Sequence, residues 1–198
     1  MSLFAPYLVI VDIAGQSISL DTGELHSDDD GKTVSFFLND DKDFTVPLQV
    51  GETQFTAQMD WSGNGGIILN KDHIENLSLL SKPEVTGFSR NDDGEFPLWS
   101  ARFEGTARIG GQDLDTRTVR FLETVPDALL MGDALAEFVI TIDQENRRIR
   151  FEKEEGRDQS LLQKAARVPN LASNQPDLRT AFNAEPDKIR LLLTLSPT

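Results

Sequence analysis

The sequence predicts an all-β fold, a closed barrel with only short helices. Apolar and polar residues alternate with a period of two through the first three quarters of the chain, which is typical of strands that bury one face. Turn-forming clusters such as 28–31 (DDDG) and 39–43 (NDDKD) interrupt this alternation. Because helix-compatible stretches are brief, the many short strands favour a barrel over a helical or α/β architecture.

Composition limits the classes of protein to which the chain can belong. Its 198 residues, 38% of them hydrophobic and 12 of them Phe, are enough for one packed domain with extensions. The absence of cysteine excludes disulfides, thiol catalysis and Cys-ligated zinc. The net charge of -14 opposes binding to nucleic acid or anionic membranes, because phosphate contacts need clustered cations. No apolar run reaches transmembrane length, so membrane insertion is not expected.

The first half of the chain predicts strands joined by tight turns. The alternating stretches lie at 7–13, 17–20, 33–38, 44–50 and 53–59, and the last of them runs directly into Asp60. A glycine-rich stretch at 63–66 separates this strand from a short apolar one at 67–69. Asn70 then precedes a helix-compatible segment at 71–77, which it is expected to cap.

The second half predicts a long loop or hairpin followed by further strands. Residues 83–97 contain two prolines, two glycines and the run NDDG, which disfavours one continuous element. Alternation resumes in strands at 99–109, 113–122, 138–142 and 147–152, with a helical turn at 133–137. Beyond residue 152 the chain is charged, then helix-compatible at 159–168 and apolar at 188–195, which predicts a mixed C-terminal extension.

Three segments together resemble a known family. They are VPLQVGETQFTAQMD at 46–60 with NGGIIL at 64–69, TARIGG at 106–111, and ALLMGDALAEFVITID at 128–143 with NRRIRF at 146–151. In this order they resemble the retropepsin-like aspartic proteases, over roughly residues 43–153. The resemblance predicts a protease domain at 43–153, an N-terminal β extension at 1–42 and a C-terminal helix/strand extension at 154–198. That extension would be an added strand or the start of a truncated further domain.

The resemblance implies an acid-protease-like barrel that cleaves peptide bonds. In this family Asp60 would be the catalytic carboxylate, and the strand Leu130-Met131-Gly132 would pass behind its loop, where Gly132 permits close backbone contact. Hydrolysis needs two such carboxylates, and one lobe supplies one, so the resemblance implies a homodimer acting on a peptide or protein substrate. It implies no metal and no cofactor.

The loop after Asp60 departs from the family pattern. It reads Asp60-Trp61-Ser62-Gly63 followed by Asn64, where the family has Asp-Thr-Gly or Asp-Ser-Gly. Without a gap, Trp61 replaces the hydroxyl residue and Ser62 the glycine. With one inserted residue, Ser62 and Gly63 match but Asp60 is displaced by one position. Either alignment predicts impaired or lost hydrolysis, so a catalytically inactive module for peptide or protein binding is the alternative function.

Two further patterns have competing interpretations. Asp21-Thr22-Gly23 spells the family triplet, but a polar turn between strands is favoured because a charged stretch follows it. Trp61, Trp99 and Phe96 would line an aromatic cleft, or the tryptophans would be core or interface residues.

The compartment is left open by the sequence. The start of the chain is not a signal peptide as it stands, which predicts a periplasmic or secreted protein if a leader was removed and a cytoplasmic one otherwise.

Overall fold

The computed structural model of the chain describes residues 6–27, 31–61, 63–91 and 93–153. Strands dominate them, and the two helices are short. Neither helix combines the length and apolarity needed to span a bilayer. The strands are β1 (Leu8–Asp12), β2 (Ser17–Asp21), β3 (Thr33–Ser35), β4 (Phe37–Leu38), β5 (Phe44–Val50), β6 (Thr53–Asp60), β7 (Ile67–Asn70), β8 (Glu84–Asn91), β9 (Gly94–Arg102), β10 (Ala107–Ile109), β11 (Gln112–Leu114), β12 (Thr118–Leu122), β13 (Ala128–Met131), β14 (Phe138–Asp143) and β15 (Arg148–Lys153). A 3₁₀ helix spans Lys71–Asn76, and α1 spans Gly132–Leu135.

The first sheet joins the beginning of the described chain to its end. Its strand order is β2-β1-β14-β15-β3, with every neighbouring pair antiparallel. Val9 of β1 lies opposite Ile142 of β14, which in turn lies opposite Ile149 of β15. The strands β1, β2 and β3 therefore complete the sheet of the last hairpin, β14–β15. The extension predicted at 154–198 lies outside the described residues.

The second sheet carries the strand that ends at Asp60. Its order is β11-β10-β5-β6-β13-β7-β12-β9-β8, with β4 paired to one end of β5. The strand β13 lies between β6 and β7, parallel to β6 and antiparallel to β7. Each sheet ends in two different edge strands, so the pairings among the described residues do not close into a barrel. The all-β class predicted from the sequence is confirmed, whereas the closed barrel is not found.

The main core is built by the buried face of each strand. In β6, Phe55, Ala57 and Met59 are buried, and the residues between them are more exposed, as the period of two requires. The large side chains of this core include Phe103 and Phe121, both almost completely buried. Burying a side chain of this size contributes roughly 1.5–3 kcal/mol.

A second apolar group packs on the opposite face of the second sheet. It consists of Ile68, Leu122, Val125 and Met131, with Phe96, Leu98 and Leu129 partly buried against them. We call these seven residues the outer cluster. The strands β7, β12 and β13 therefore have apolar side chains on both faces, which accounts for their nearly continuous apolar sequences.

Several predicted elements differ in extent from those observed. The strand predicted at 99–109 ends at Arg102 and resumes at Ala107, because Gly105 adopts a φ of +89° that breaks the extended conformation. Residues 84–97 of the segment predicted as a long loop or hairpin lie in the β8–β9 hairpin. The helix predicted at 71–77 is a 3₁₀ helix. Asn70 caps it as predicted, because its side chain accepts a hydrogen bond from the backbone N–H of Asp72.

A buried carboxylate ties the segment after β2 to the last hairpin. Asp143 is only 3% exposed. It accepts hydrogen bonds from the backbone N–H of Leu25 at 2.8 Å and from the backbone and side chain of Asn146 at 2.9 and 2.8 Å. Burial alone would raise the pKa of Asp143, but these hydrogen bonds outweigh it, so the pKa lies below its ordinary value.

Candidate active site

Asp60 projects from the end of β6 onto the outer face of the second sheet. Because Phe55, Ala57 and Met59 face the main core, the alternation of the strand directs Asp60 to the other face. Its neighbour across the parallel ladder is Met131, a member of the outer cluster. The carboxylate of Asp60, half-buried, therefore lies beside an apolar surface.

The glycines of the following loop allow close packing around that carboxylate. A Cβ at Gly63 would lie 1.9 Å from Cε of Met131 and 3.5 Å from Oδ2 of Asp60. Gly66 has a φ of +66°, a conformation that favours glycine. Larger residues at these positions would displace Met131 or strain the loop, so the glycines fix how near the loop approaches the strand end.

Gly132 lies directly against the backbone of this loop. A Cβ at Gly132 would lie 2.5 Å from the carbonyl oxygen of Trp61 and 3.2 Å from that of Gly63. Two hydrogen bonds join the same region, from Met131 N to Gly66 O at 2.9 Å and from Asp133 N to Gly63 O at 3.3 Å. The strand Leu130-Met131-Gly132 thus passes behind the loop at a distance that excludes any side chain at residue 132.

Asp133 stabilises the loop from the other side, a role that the sequence analysis missed. Its Oδ1 accepts hydrogen bonds from Gly65 N at 3.1 Å and Gly66 N at 2.9 Å, and its Oδ2 lies 3.0 Å from Gly65 N. Each bond satisfies an amide that would otherwise be unpaired in a partly buried loop. An acidic residue directly after the glycine of an apolar-Gly motif was the available signal.

The remaining loop residues lie apart from one another. Trp61 packs against the main core, on the face opposite to Asp60. Asn64 is exposed. Ser62 lies outside the described residues, so the structure does not distinguish the two alignments of the loop.

The three aromatic residues do not assemble into one cleft. Trp61 and Trp99 both pack against the main core, whereas Phe96 belongs to the outer cluster. The indole N–H of Trp99 is buried and has no hydrogen-bond partner within the described structure. The structure therefore favours the interpretation of both tryptophans as packing residues.

The outer face also carries a cation that the sequence analysis did not single out. Arg120 lies on β12 between Ile68 of β7 and Ser100 of β9. One guanidinium nitrogen of Arg120 is 3.2 Å from the position of a Cβ at Gly65. A single charged residue within the apolar strand TVRFL was the signal that could have identified it.

Other polar groups lie away from this face. Asp21 ends β2 at the edge of the first sheet, and its Oδ1 accepts a hydrogen bond from Thr22 N, as in a polar turn. A pocket of about 330 Å³ opens at the turn of the last hairpin, where Tyr7, Glu24 and Asp143 are among its lining residues. In the part of the chain that the structure describes, no group of His, Cys, Asp or Glu side chains is arranged to hold a metal.

Comparisons with known proteins give likenesses of structure. No protein-family model and no curated protein matches the sequence. The chain is similar to a retropepsin-like aspartic protease from Rickettsia conorii, with 18% identity, 59% of this chain and 96% of that chain covered, and a TM-score of 0.46. It is also similar to EIAV protease complexed with the inhibitor HBY-793, with 18% identity, 49% of this chain and 88% of that chain covered, and a TM-score of 0.40. The first is a protein of the family that the sequence resembles. With 18% identity and TM-scores below 0.5, both are likenesses of structure that carry no conclusion about the activity of this chain.

Proposed function

We propose that this chain is a single-lobed aspartic peptidase in which Asp60 supplies one half of a catalytic pair and a second copy of the chain supplies the other half. The observation that carries the proposal is the position of Asp60. It ends a central strand, on the outer face, beside the outer cluster and a loop fixed by Gly132 and Asp133. We assign the activity to residues 43–153, to which β1, β2 and β3 add part of the first sheet.

The proposed chemistry needs two carboxylates that share one proton. At a separation of about 3 Å both cannot be ionised, so one carries the proton and the other remains a base. The ionised carboxylate removes a proton from a water molecule as the water attacks the peptide carbonyl, and the protonated one polarises the carbonyl oxygen. A two-fold axis between two Asp60 side chains generates such a pair from identical chains.

The surface around Asp60 suits an extended peptide with apolar side chains. The outer cluster places apolar side chains beside the carboxylate, and its partly buried members Phe96, Leu98 and Leu129 offer accessible apolar area. Apolar area of this kind, with a few polar groups placed among it, is the usual composition of a ligand-binding site.

Substitution of Asp60 by Asn tests the proposal. The wild-type chain is expected to cleave an unfolded protein substrate at acidic pH, where the pair retains its shared proton. Asp60→Asn removes the general base and is expected to lower the rate by roughly 10²–10⁴-fold. Asp115→Asn, the same change at an exposed position in a loop, is the control and should retain full activity. Equal rates in wild type and Asp60→Asn, with both variants folded, would refute the proposal.

Peptide binding without hydrolysis is the second candidate function. It is favoured by the residue that follows Asp60, because Trp61 packs in the main core where the ungapped alignment requires a small hydroxyl residue. Under this function the wild-type chain binds an extended peptide and releases it intact, and Asp60→Asn leaves the affinity nearly unchanged. Mass spectrometry of the released peptide distinguishes the two functions, since only the peptidase yields fragments.

A further inference from the structure

We infer that Arg120 forms a subsite for a carboxylate of the bound peptide, so that the cleft prefers peptides with an acidic group near the residues facing Asp60. This inference rests on the proposed peptide-binding function and specifies the class of peptide. It uses a residue to which the chemistry at Asp60 assigns no role.

Arg120 is on the same face of the sheet as Asp60. On β12, Val119 and Phe121 are buried in the main core, so Arg120 projects from the outer face. Its cross-strand neighbour Ile68 belongs to the outer cluster, and Ile68 itself pairs with Leu129 of β13. Arg120 therefore adjoins the apolar surface that is proposed to hold the peptide.

The guanidinium has no protein partner in the described structure. Hydrogen bonds or ion pairs engage the side chains of other arginines, such as Arg90 with Glu95 and Arg108 with Asp113, but none engages that of Arg120. The carboxylate of Asp133 in α1, which binds the loop at Gly65, accepts hydrogen bonds from the amides of Gly65 and Gly66. A half-buried cation without a counter-charge has lost part of its hydration, and no hydrogen bond or ion pair within the protein compensates for that loss.

A peptide carboxylate supplies what this cation lacks. Arginine presents a planar set of N–H donors that matches the two oxygens of a carboxylate, and such charge-assisted bonds are about twice as strong as neutral ones. The net charge of -14 repels an acidic peptide at long range, but salt screens that repulsion beyond about 8 Å, whereas the contact with Arg120 is direct. The local pairing is therefore expected to dominate.

The strand order limits how far this subsite is from Asp60. The strands β6, β13, β7 and β12 are consecutive, so three spacings of about 4.8 Å, or roughly 14 Å, separate Asp60 from Arg120 across the sheet. The register places Arg120 level with Gln58, two residues or about 6.6 Å along the strands from Asp60, so the Cα atoms are roughly 16 Å apart. An extended peptide rises about 3.3 Å per residue, and the arginine and glutamate side chains span part of the distance, so the recognised carboxylate lies within about four residues of the bond facing Asp60.

Binding of matched peptides to the full chain tests the inference. The probes are fluorescein-labelled octapeptides with a central Phe-Phe pair, in which each remaining position carries Glu or Gln in turn. Each peptide is also made with a free and with an amidated C-terminus, to separate a side-chain carboxylate from a terminal one. Affinities are measured by fluorescence anisotropy in the Asp60→Asn background, so that no peptide is consumed.

A carboxylate at one position, in a side chain or at the terminus, is expected to improve the affinity about tenfold over its neutral counterpart. Arg120→Gln should abolish this preference, and Arg120→Glu should reverse it in favour of Lys. Arg108→Gln, which removes the same charge from an exposed ion pair on β10, should retain the preference. Thermal melting of every variant checks that the fold is intact.

Two results would overturn the inference while leaving the proposed function standing. In the first, the Glu and Gln peptides bind with equal affinity whichever position carries the substitution. In the second, the preference for the acidic peptide persists in Arg120→Gln. If no peptide of the set binds at all, the peptide-binding function fails and the subsite fails with it.

Discussion

Substitution of Gly132 by Ala tests the contact between the end of β13 and the loop that carries Asp60. The added methyl group would lie 2.5 Å from the carbonyl oxygen of Trp61 and 2.9 Å from its carbonyl carbon. Both are backbone atoms, so no side-chain rotation relieves the overlap. The shorter distance is 0.5 Å below the 3.0 Å that real Cβ contacts keep, so the loop or the helix α1 must move by at least that amount.

The cost of this movement follows from the rigidity of packed interiors. Overpacking of this kind typically costs 1–3 kcal/mol, and we expect about 2 kcal/mol for Gly132→Ala. For a chain of this size that corresponds to a fall of roughly 4–8 °C in melting temperature. Displacement of the loop also moves Asp60. Since a misplacement of about 1 Å costs up to a hundredfold in rate, the proposed cleavage should slow by about tenfold.

Thermal unfolding of Gly132→Ala beside Gly87→Ala is the assay. Gly87 lies on the β8–β9 hairpin, where an added Cβ meets nothing within 4 Å, so the same substitution there should change the stability by less than about 0.5 kcal/mol. If the two variants melt at the same temperature, the close contact between Gly132 and the backbone of the loop after Asp60 is refuted.

Two further substitutions test the carboxylates that stabilise the fold. Asp133→Ala leaves the amides of Gly65 and Gly66 without their acceptor and should cost about 2 kcal/mol in urea unfolding; a loss no larger than that of Asp115→Ala would contradict this role. Because the folded pKa of Asp143 is lowered, its carboxylate contributes stability that is complete above its ordinary pKa and is lost as the pH falls through the folded value. Asp143→Asn should therefore lower stability at neutral pH by about 1–3 kcal/mol and flatten the loss of stability in acid, and equal acid slopes in both proteins would exclude this linkage.

Local patterns in the sequence predicted much of the strand framework. The alternation in 53–59 predicted the strand β6, which ends at Asp60 as expected. Asn70 was predicted as a helix cap because its side chain can bond a backbone amide two residues later, and the structure has that bond. These features depend on residues close together in the chain, which is why the sequence alone predicts them.

Features that depend on distant residues could not be predicted in the same way. The pairing of β1 with β14 joins residues more than a hundred positions apart, and no local periodicity specifies which strands become neighbours. For the same reason, the sequence analysis missed Asp133 as the partner of the loop amides and Arg120 as a neighbour of Gly65. The prediction of an aromatic cleft was wrong because alternation places Trp99 and Phe96 on opposite faces of β9.

The central claim is that two copies of the chain each contribute one Asp60 to a single catalytic pair. Mixing wild type with Asp60→Asn at a constant total concentration tests it directly. If the pair spans two chains, an equal mixture that has exchanged subunits retains about one quarter of the wild-type rate, because only pairings of two wild-type chains are active. A rate that falls only to about one half, in proportion to the wild-type chain present, would mean that each chain acts alone and would contradict the account.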